Sequence, residues 1–158
     1  MMGNQRASWI IGVLSAVLTA GCASSPPSQR TPVPAGVAYS APRSHVVSTS
    51  LKYVGAPYEW GGTSPAGFDC SGFIQFVYAR AGVSLPHGVV KQYRLGSAVS
   101  RDELEPGDLV FFDRLRHAGI YIGDMRFVHA TKPGDVVTIS RLDDEWFRRR
   151  WIGARRLL

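Results

Sequence analysis

Leu109-Val110-Phe111-Phe112, Ala118-Gly119-Ile120-Tyr121-Ile122-Gly123, Arg126-Phe127-Val128-His129-Ala130 and Val136-Val137-Thr138-Ile139 are four apolar runs following one another between positions 109 and 139. Turn residues punctuate them: Glu105-Pro106-Gly107-Asp108 before the first, Gly123-Asp124 after the second, and Pro133-Gly134-Asp135 before the fourth. Short runs of this composition between such turns predict strands. The gaps are too short for parallel pairing, which needs a crossover of roughly a dozen residues or more, so the strands form antiparallel hairpins. A last strand near Trp151-Ile152-Gly153-Ala154 would close the sheet.

Upstream the period changes. Val47, Leu51 and Val54 recur at helical spacing and predict a first helix over about 44–54, ending before Gly55. The turn-rich loop Gly61-Gly62-Thr63-Ser64-Pro65-Ala66-Gly67 follows. Asp69 is a good N-cap for a helix over about 70–81, with Phe73, Phe76 and Val77 on its apolar face and Gly82 as its stop. Another helix is expected over 87–95 after Pro86. Helices first and strands afterwards give an α+β domain over 44–158, its N-terminal helices packed on an antiparallel sheet.

The 158 residues suffice for one domain, and 45% hydrophobic with 11% aromatic content supports a real core. With 19% charged residues, a long solvated rod or an acidic disordered tail is excluded. In front of the domain, Arg6 precedes an apolar run from Trp9 to Ala20 that is too short to span a bilayer. Positive start, short apolar stretch and small residues describe a secretory signal peptide over 1–21. Leu18-Thr19-Ala20-Gly21-Cys22 resembles a bacterial lipoprotein signal, in which Cys22 receives lipid, although Leu usually stands where Thr19 does. The alternatives are plain secretion with cleavage near Ala20 and an uncleaved anchor. Residues 22–43, rich in Ser and Pro, then read as an extended tether. The localisation expected is the cell envelope, on the periplasmic face, with the outer membrane favoured.

Only two cysteines exist, Cys22 and Cys70. A lipidated Cys22 cannot pair, which leaves Cys70 as a lone thiol in an oxidising compartment, where a free thiol is a liability unless chemistry uses it. The alternative is a Cys22–Cys70 disulfide. Net charge is +6, falling to about +5 without residues 1–21. A basic surface suits acidic partners, and export removes nucleic acid from among them.

Cys70 directly follows the N-cap Asp69, so the free N–H groups of a helix start point at its sulfur and are expected to favour the thiolate. His117 opens the second strand and His129 lies in the third. Hairpin pairing about Gly123-Asp124 makes them near neighbours, on one face if the register allows. A nucleophile, a base and a group that orients the base are the parts acyl transfer needs. A buried structural cysteine, satisfied histidines, or a Cys/His metal site are the competing uses. The last lacks any Cys-x-x-Cys or His-x-x-x-His pair.

Asp69-Cys70-Ser71-Gly72-Phe73, preceded by Pro57-Tyr58-Glu59-Trp60-Gly61-Gly62, resembles the nucleophile segment of the NlpC family of cell-wall cysteine peptidases. Leu104–Phe112, His117–Gly123 and Phe127–Ala130 match that family in the same order, so the resemblance covers about 44–156. It implies a compact, circularly permuted papain-like fold in the lipoprotein murein endopeptidase branch. It implies Cys70 as nucleophile, His117 as base and His129 as the residue orienting it. Tyr58 is implied to stabilise the oxyanion, and no metal or cofactor is needed. Trp60 is assigned to packing or a cleft wall. The substrate implied is peptidoglycan, cut in its stem peptides or cross-links through a thioester. The chain is expected to act as a monomer held at a membrane through lipid on Cys22.

His87-Gly88 departs from the family, where arginine and a small hydroxyl residue are frequent, and Asp113-Arg114-Leu115-Arg116 is a short loop. Both bear on substrate preference. Arg148-Arg149-Arg150 and Arg155-Arg156 read most simply as solvated surface. An amidase or acyltransferase of the same fold, or a wall-binding lipoprotein without catalysis, are the other functions in play.

Overall fold

The computed structural model describes residues 40–158. The signal segment, Cys22 and residues 22–39 of the expected tether lie outside them. In chain order the elements are α1 (Ser40–Lys52), β1 (Thr63–Ser64), β2 (Gly67–Phe68), α2 (Cys70–Arg80), α3 (Val89–Tyr93), β3 (Ser97–Val99), β4 (Leu109–Phe112), β5 (His117–Gly123), β6 (Arg126–Ala130), β7 (Val137–Arg141), α4 (Glu145–Arg150) and β8 (Trp151–Arg156). β1 and β2 form a small hairpin, and the other six strands form one antiparallel sheet in the order β3-β8-β4-β5-β6-β7. This is the α+β arrangement the sequence predicts.

The sheet has a covered face on each side. β4 reads as a continuous apolar run because it is buried on both: Leu109 and Phe111 belong to one core with Phe73, Ile74, Val77 and Tyr78 of α2, while Val110 and Phe112 join Phe127 and Leu142 in the other. Phe111 and Phe112 are fully buried, each contributing about 2–3 kcal/mol of transfer free energy. α4 carries Phe147 onto the second face, edge-on to Phe127 at 4.8 Å and against Phe112 at 5.1 Å between centroids.

α1 presents a different face from the one its large apolar residues suggest. Val46, Thr49 and Ser50 are buried and Tyr53 packs beside them, whereas Leu51 and Val54 are each 42% exposed. Ser50 satisfies its own hydroxyl by donating to the Val47 carbonyl at 2.8 Å, so a polar residue sits inside at little cost. α3 is shorter than the expected 87–95 because Gly88, at φ 117°, holds the chain out of helix until Val89. β3, α4 and the β1–β2 hairpin are additional to the expected elements.

The C-terminal arginines are not all solvated surface. β8 inserts between β3 and β4, and Arg156 there donates to both oxygens of Asp108, from Nε at 3.0 Å and Nη2 at 2.8 Å. Asp108 is 1% exposed. A buried carboxylate requires such a partner, and sequence position near a terminus does not reveal it. Arg155 lies over the Tyr93 ring at 4.3 Å. Arg149 pairs with Glu145 on the surface of α4.

Candidate active site

Asp69 caps α2 as expected, its Oδ1 accepting from the Gly72 amide at 2.6 Å and the Ser71 hydroxyl at 2.9 Å. Its other oxygen accepts from the Gly61 amide at 3.1 Å and contacts His87 Nε2 at 2.8 Å. The carboxylate therefore ties the loop before the helix, the helix start and the segment after it into one unit. Gly72 lets that unit close: a Cβ there would stand 2.0 Å from the Gly62 carbonyl oxygen. Cys70 opens α2 on this frame, 9% exposed.

The sulfur lies against the start of β5. It is 3.9 Å from the Arg116 carbonyl, and the Ala118 amide points at it, so the peptide groups on either side of His117 flank the thiol. His117 and Cys70 line the same cleft. His117 Nε2 lies 2.7 Å from His129 Nδ1, and His129 Nε2 lies 2.9 Å from Ser140 Oγ. One tautomer set leaves the other nitrogen of His117 with a free lone pair: both histidines carry hydrogen on Nε2, His117 donates to His129, and His129 donates to Ser140.

The hairpin register explains the meeting. Ile120 pairs with Val128 and Tyr121 with Phe127, so the position opposite His129 is Gly119, two residues along one face from His117. A Cβ on Gly119 would stand 2.6 Å from the Phe127 ring and 3.1 Å from the His129 Cβ. Glycine leaves the space across which the two imidazoles touch. Ser140 was missed in the sequence; its signal is weak, an alternating Thr138/Ser140 pair on the neighbouring strand, with Thr138 opposite His129.

Electrostatics correct one expectation. The amides of Ala118, Ser71 and Cys70 do favour the thiolate, but burial and then the Asp69 carboxylate outweigh them and push the Cys70 thiol up to about 11. Burial lowers His117 to about 4, with Asp113 partly opposing. Burial and then His117 lower His129 to about 3. In the resting site both thiol and imidazole are neutral, and the helix start alone does not generate a thiolate.

Tyr58 lines the cleft, and its phenol is raised by burial, then by Cys70 and Asp69, which places the hydroxyl in the field of the sulfur. Trp60 is 85% exposed at the rim, a cleft wall and not a packing residue. The cleft encloses about 670 Å³ and also takes in His87, Lys91 and Arg116. His87 is thereby placed: it closes on Asp69, a contact the sequence departure at 87–88 did not disclose. Among the described residues no cluster of three or more His, Cys, Asp or Glu could hold a metal ion.

The NlpC/P60 family model matches residues 55–156, which include Tyr58, Cys70, His117 and His129. The chain belongs to the NlpC/P60 family. Its NlpC/P60 domain is 41% identical over 114 residues to the probable endopeptidase NlpC homolog of Haemophilus influenzae, covering 72% of this chain and 62% of that one. It is 35% identical over 117 residues to murein DD-endopeptidase MepH of Escherichia coli, covering 68% and 43%. An NlpC/P60 family protein from Bacillus cereus superposes with a TM-score of 0.71 at 35% identity, over 73% of this chain and 40% of that one. The chain thus spans less than two thirds of the length of each of these relatives.

Proposed function

We propose that this NlpC/P60 chain is a cysteine endopeptidase that hydrolyses peptide bonds of peptidoglycan. The observation that carries the reading is the Cys70 sulfur set between the peptide groups flanking His117, with His117 backed by His129 and Ser140. The names of the relatives, an endopeptidase and a murein endopeptidase, supply the substrate class.

In this mechanism His117 takes the Cys70 proton as sulfur attacks the peptide carbonyl. Attack and proton transfer are coupled because a free thiolate is disfavoured beforehand. The oxyanion accepts hydrogen bonds from the Tyr58 hydroxyl and from the Cys70 amide, one of the helix N–H groups without an intrahelical partner. Each such donor lowers the barrier by roughly 3 kcal/mol in comparable sites. His117 then protonates the departing amine, and water hydrolyses the thioester with His117 as base. His129 holds the imidazole through Nε2. One chain supplies every group, so a monomer suffices.

Digestion of purified peptidoglycan, with products resolved by mass spectrometry, tests the reading. The wild type releases peptides with new amino ends, and Cys70→Ala releases none while keeping its circular dichroism; activity retained by Cys70→Ala ends it. The sequence also supports lipid on Cys22 after removal of residues 1–21, holding the domain at the periplasmic face of the outer membrane. Palmitate labelling that persists in Cys22→Ser would refute that anchor.

A further inference from the structure

The segment that follows α2 is fastened back onto the start of that helix and its neighbours at three successive residues. Gln75 Nε2 donates to the Leu85 carbonyl at 2.9 Å, Gln92 Nε2 donates to the Pro86 carbonyl at 3.0 Å, and His87 Nε2 lies 2.8 Å from Asp69 Oδ2. Gln92 is fully buried and also donates to the Ser71 carbonyl at 2.9 Å, so the segment and the first turn of α2 share one clamp. His87 is thereby delivered to the cleft with a ring nitrogen already on the carboxylate that precedes the nucleophile in the chain.

Asp69 fixes the tautomer of that imidazole. Both of its oxygens already accept, from the Gly72 amide and Ser71 hydroxyl on one side and the Gly61 amide on the other, so His87 brings its hydrogen on Nε2. Nδ1 has no hydrogen-bond partner among the described residues, and the side chain is 38% exposed. A proton added at Nδ1 makes His87 a cation without breaking its contact with Asp69. Histidine is the side chain that makes this change between pH 5 and 8. The cleft is also lined by Cys70, Tyr58, Lys91, Arg116 and His117. Burial holds His117 down at about 4, pushes the Cys70 thiol up to about 11 and raises the Tyr58 phenol. Among the imidazole, thiol and phenol groups of the cleft, His87 is therefore the one whose charge changes in that interval.

Resting on the peptidase reading, we propose that His87 is a positioning residue of the reaction: clamped on Asp69, it sets by its own charge how readily Cys70 passes its proton to His117. As a neutral donor it leaves the Asp69 carboxylate free to oppose negative charge on the sulfur, as that carboxylate does second to burial. As a cation it offsets the carboxylate and favours the charge that develops as sulfur attacks.

Alkylation of Cys70 by iodoacetamide, followed as the mass of the Cys70-bearing peptide, reads the thiol directly. It is run from pH 5.5 to pH 8 on the wild type, His87→Gln and His87→Arg, with circular dichroism recorded at each pH. Glutamine keeps a side-chain N–H but has no charge to change, so its rate should rise about ten-fold per pH unit as thiolate accumulates. Arginine carries a permanent charge and should give a parallel line about five-fold faster, the size expected for a partly exposed pair. The wild type should lie near the arginine line at pH 5.5 and meet the glutamine line at pH 8. The ratio of wild-type to His87→Gln wall digestion should fall by about the same factor over that interval. A wild type parallel to His87→Gln throughout overturns the proposal, because a merely structural His87 shifts every pH alike. If His87→Gln folds poorly, the ratio of His87→Arg to wild type decides: growth of about five-fold from pH 5.5 to pH 8 supports the proposal, and a constant ratio overturns it. A wild type that shows the convergence in alkylation yet digests no wall, or wall digestion retained by Cys70→Ala, instead removes the peptidase reading beneath it.

Discussion

Acid should unfold this domain through the same two histidines that make its site. Burial lowers His117 to about 4 and His129 to about 3, from an ordinary value of 6.5. Between those values the unfolded chain binds protons that the folded chain refuses, so stability rises with pH across the window and is lost as pH falls below about 6.5. Above that point both states carry neutral imidazoles and nothing more is gained. Near pH 5.5 the two groups together differ by almost two protons, a slope of about 2.5 kcal/mol per pH unit. Integrated from pH 7 to pH 5 this removes about 4 kcal/mol, a large part of the roughly 5–15 kcal/mol that holds a typical domain together. Urea denaturation at pH 7, 6 and 5, on the wild type and on His117→Gln/His129→Gln, isolates the effect. His45, His87 and the carboxylates remain in both proteins and cancel in the difference. The double variant should lose about 4 kcal/mol less than the wild type over that interval, and each single variant about half as much less. Equal losses in wild type and double variant would refute the claim that the folded site keeps both rings neutral.

Four further outcomes follow from the same geometry. Alkylation of Cys70 by iodoacetamide should keep accelerating beyond pH 9, since a thiol near 11 is only ~0.03% ionised at pH 7.5; a rate already level at neutral pH would mean a preformed thiolate. Asp69→Asn keeps a good helix cap but removes the charge that, second to burial, raises the thiol, and should shift that alkylation profile part of the way to lower pH. Ser140→Ala removes the acceptor of His129 Nε2–H and should lower kcat about ten-fold with KM little changed, the worth of about one hydrogen bond; KM rising instead, with kcat intact, would assign Ser140 to binding. Gly119→Ala drives a methyl to within 2.6 Å of the Phe127 ring and 2.8 Å of the Val128 carbonyl, and should cost about 1–3 kcal/mol in urea denaturation together with most of the activity.

Much of the architecture is local and was readable. Runs such as Leu109–Phe112 and Phe127–Ala130 are bounded by their own turns, and short gaps leave antiparallel pairing as the geometry open to them. The cap at Asp69 is equally local, because an N-cap is a relation between residues three apart. The family motif adds long-range order to these pieces and carries Cys70, His117, His129 and Tyr58 with it. α1 is the instructive exception: hydrophobic periodicity weighs Leu51 and Val54 heavily, yet Thr49 and Ser50 go inside, since a self-bonded hydroxyl costs little to bury.

What the chain determined by itself, then, is the kinds of elements, their order, and the placing of Cys70 ahead of the hairpin that carries His117 and His129. The tertiary structure alone decided the rest: the register that lays His117 and His129 on one face across Gly119, the reach of Ser140 from the next strand, and the capture of Arg156 by Asp108. It also decided the sign of the thiol's shift, because desolvation depends on everything packed around a sulfur, whereas a helix start is only one neighbour among many.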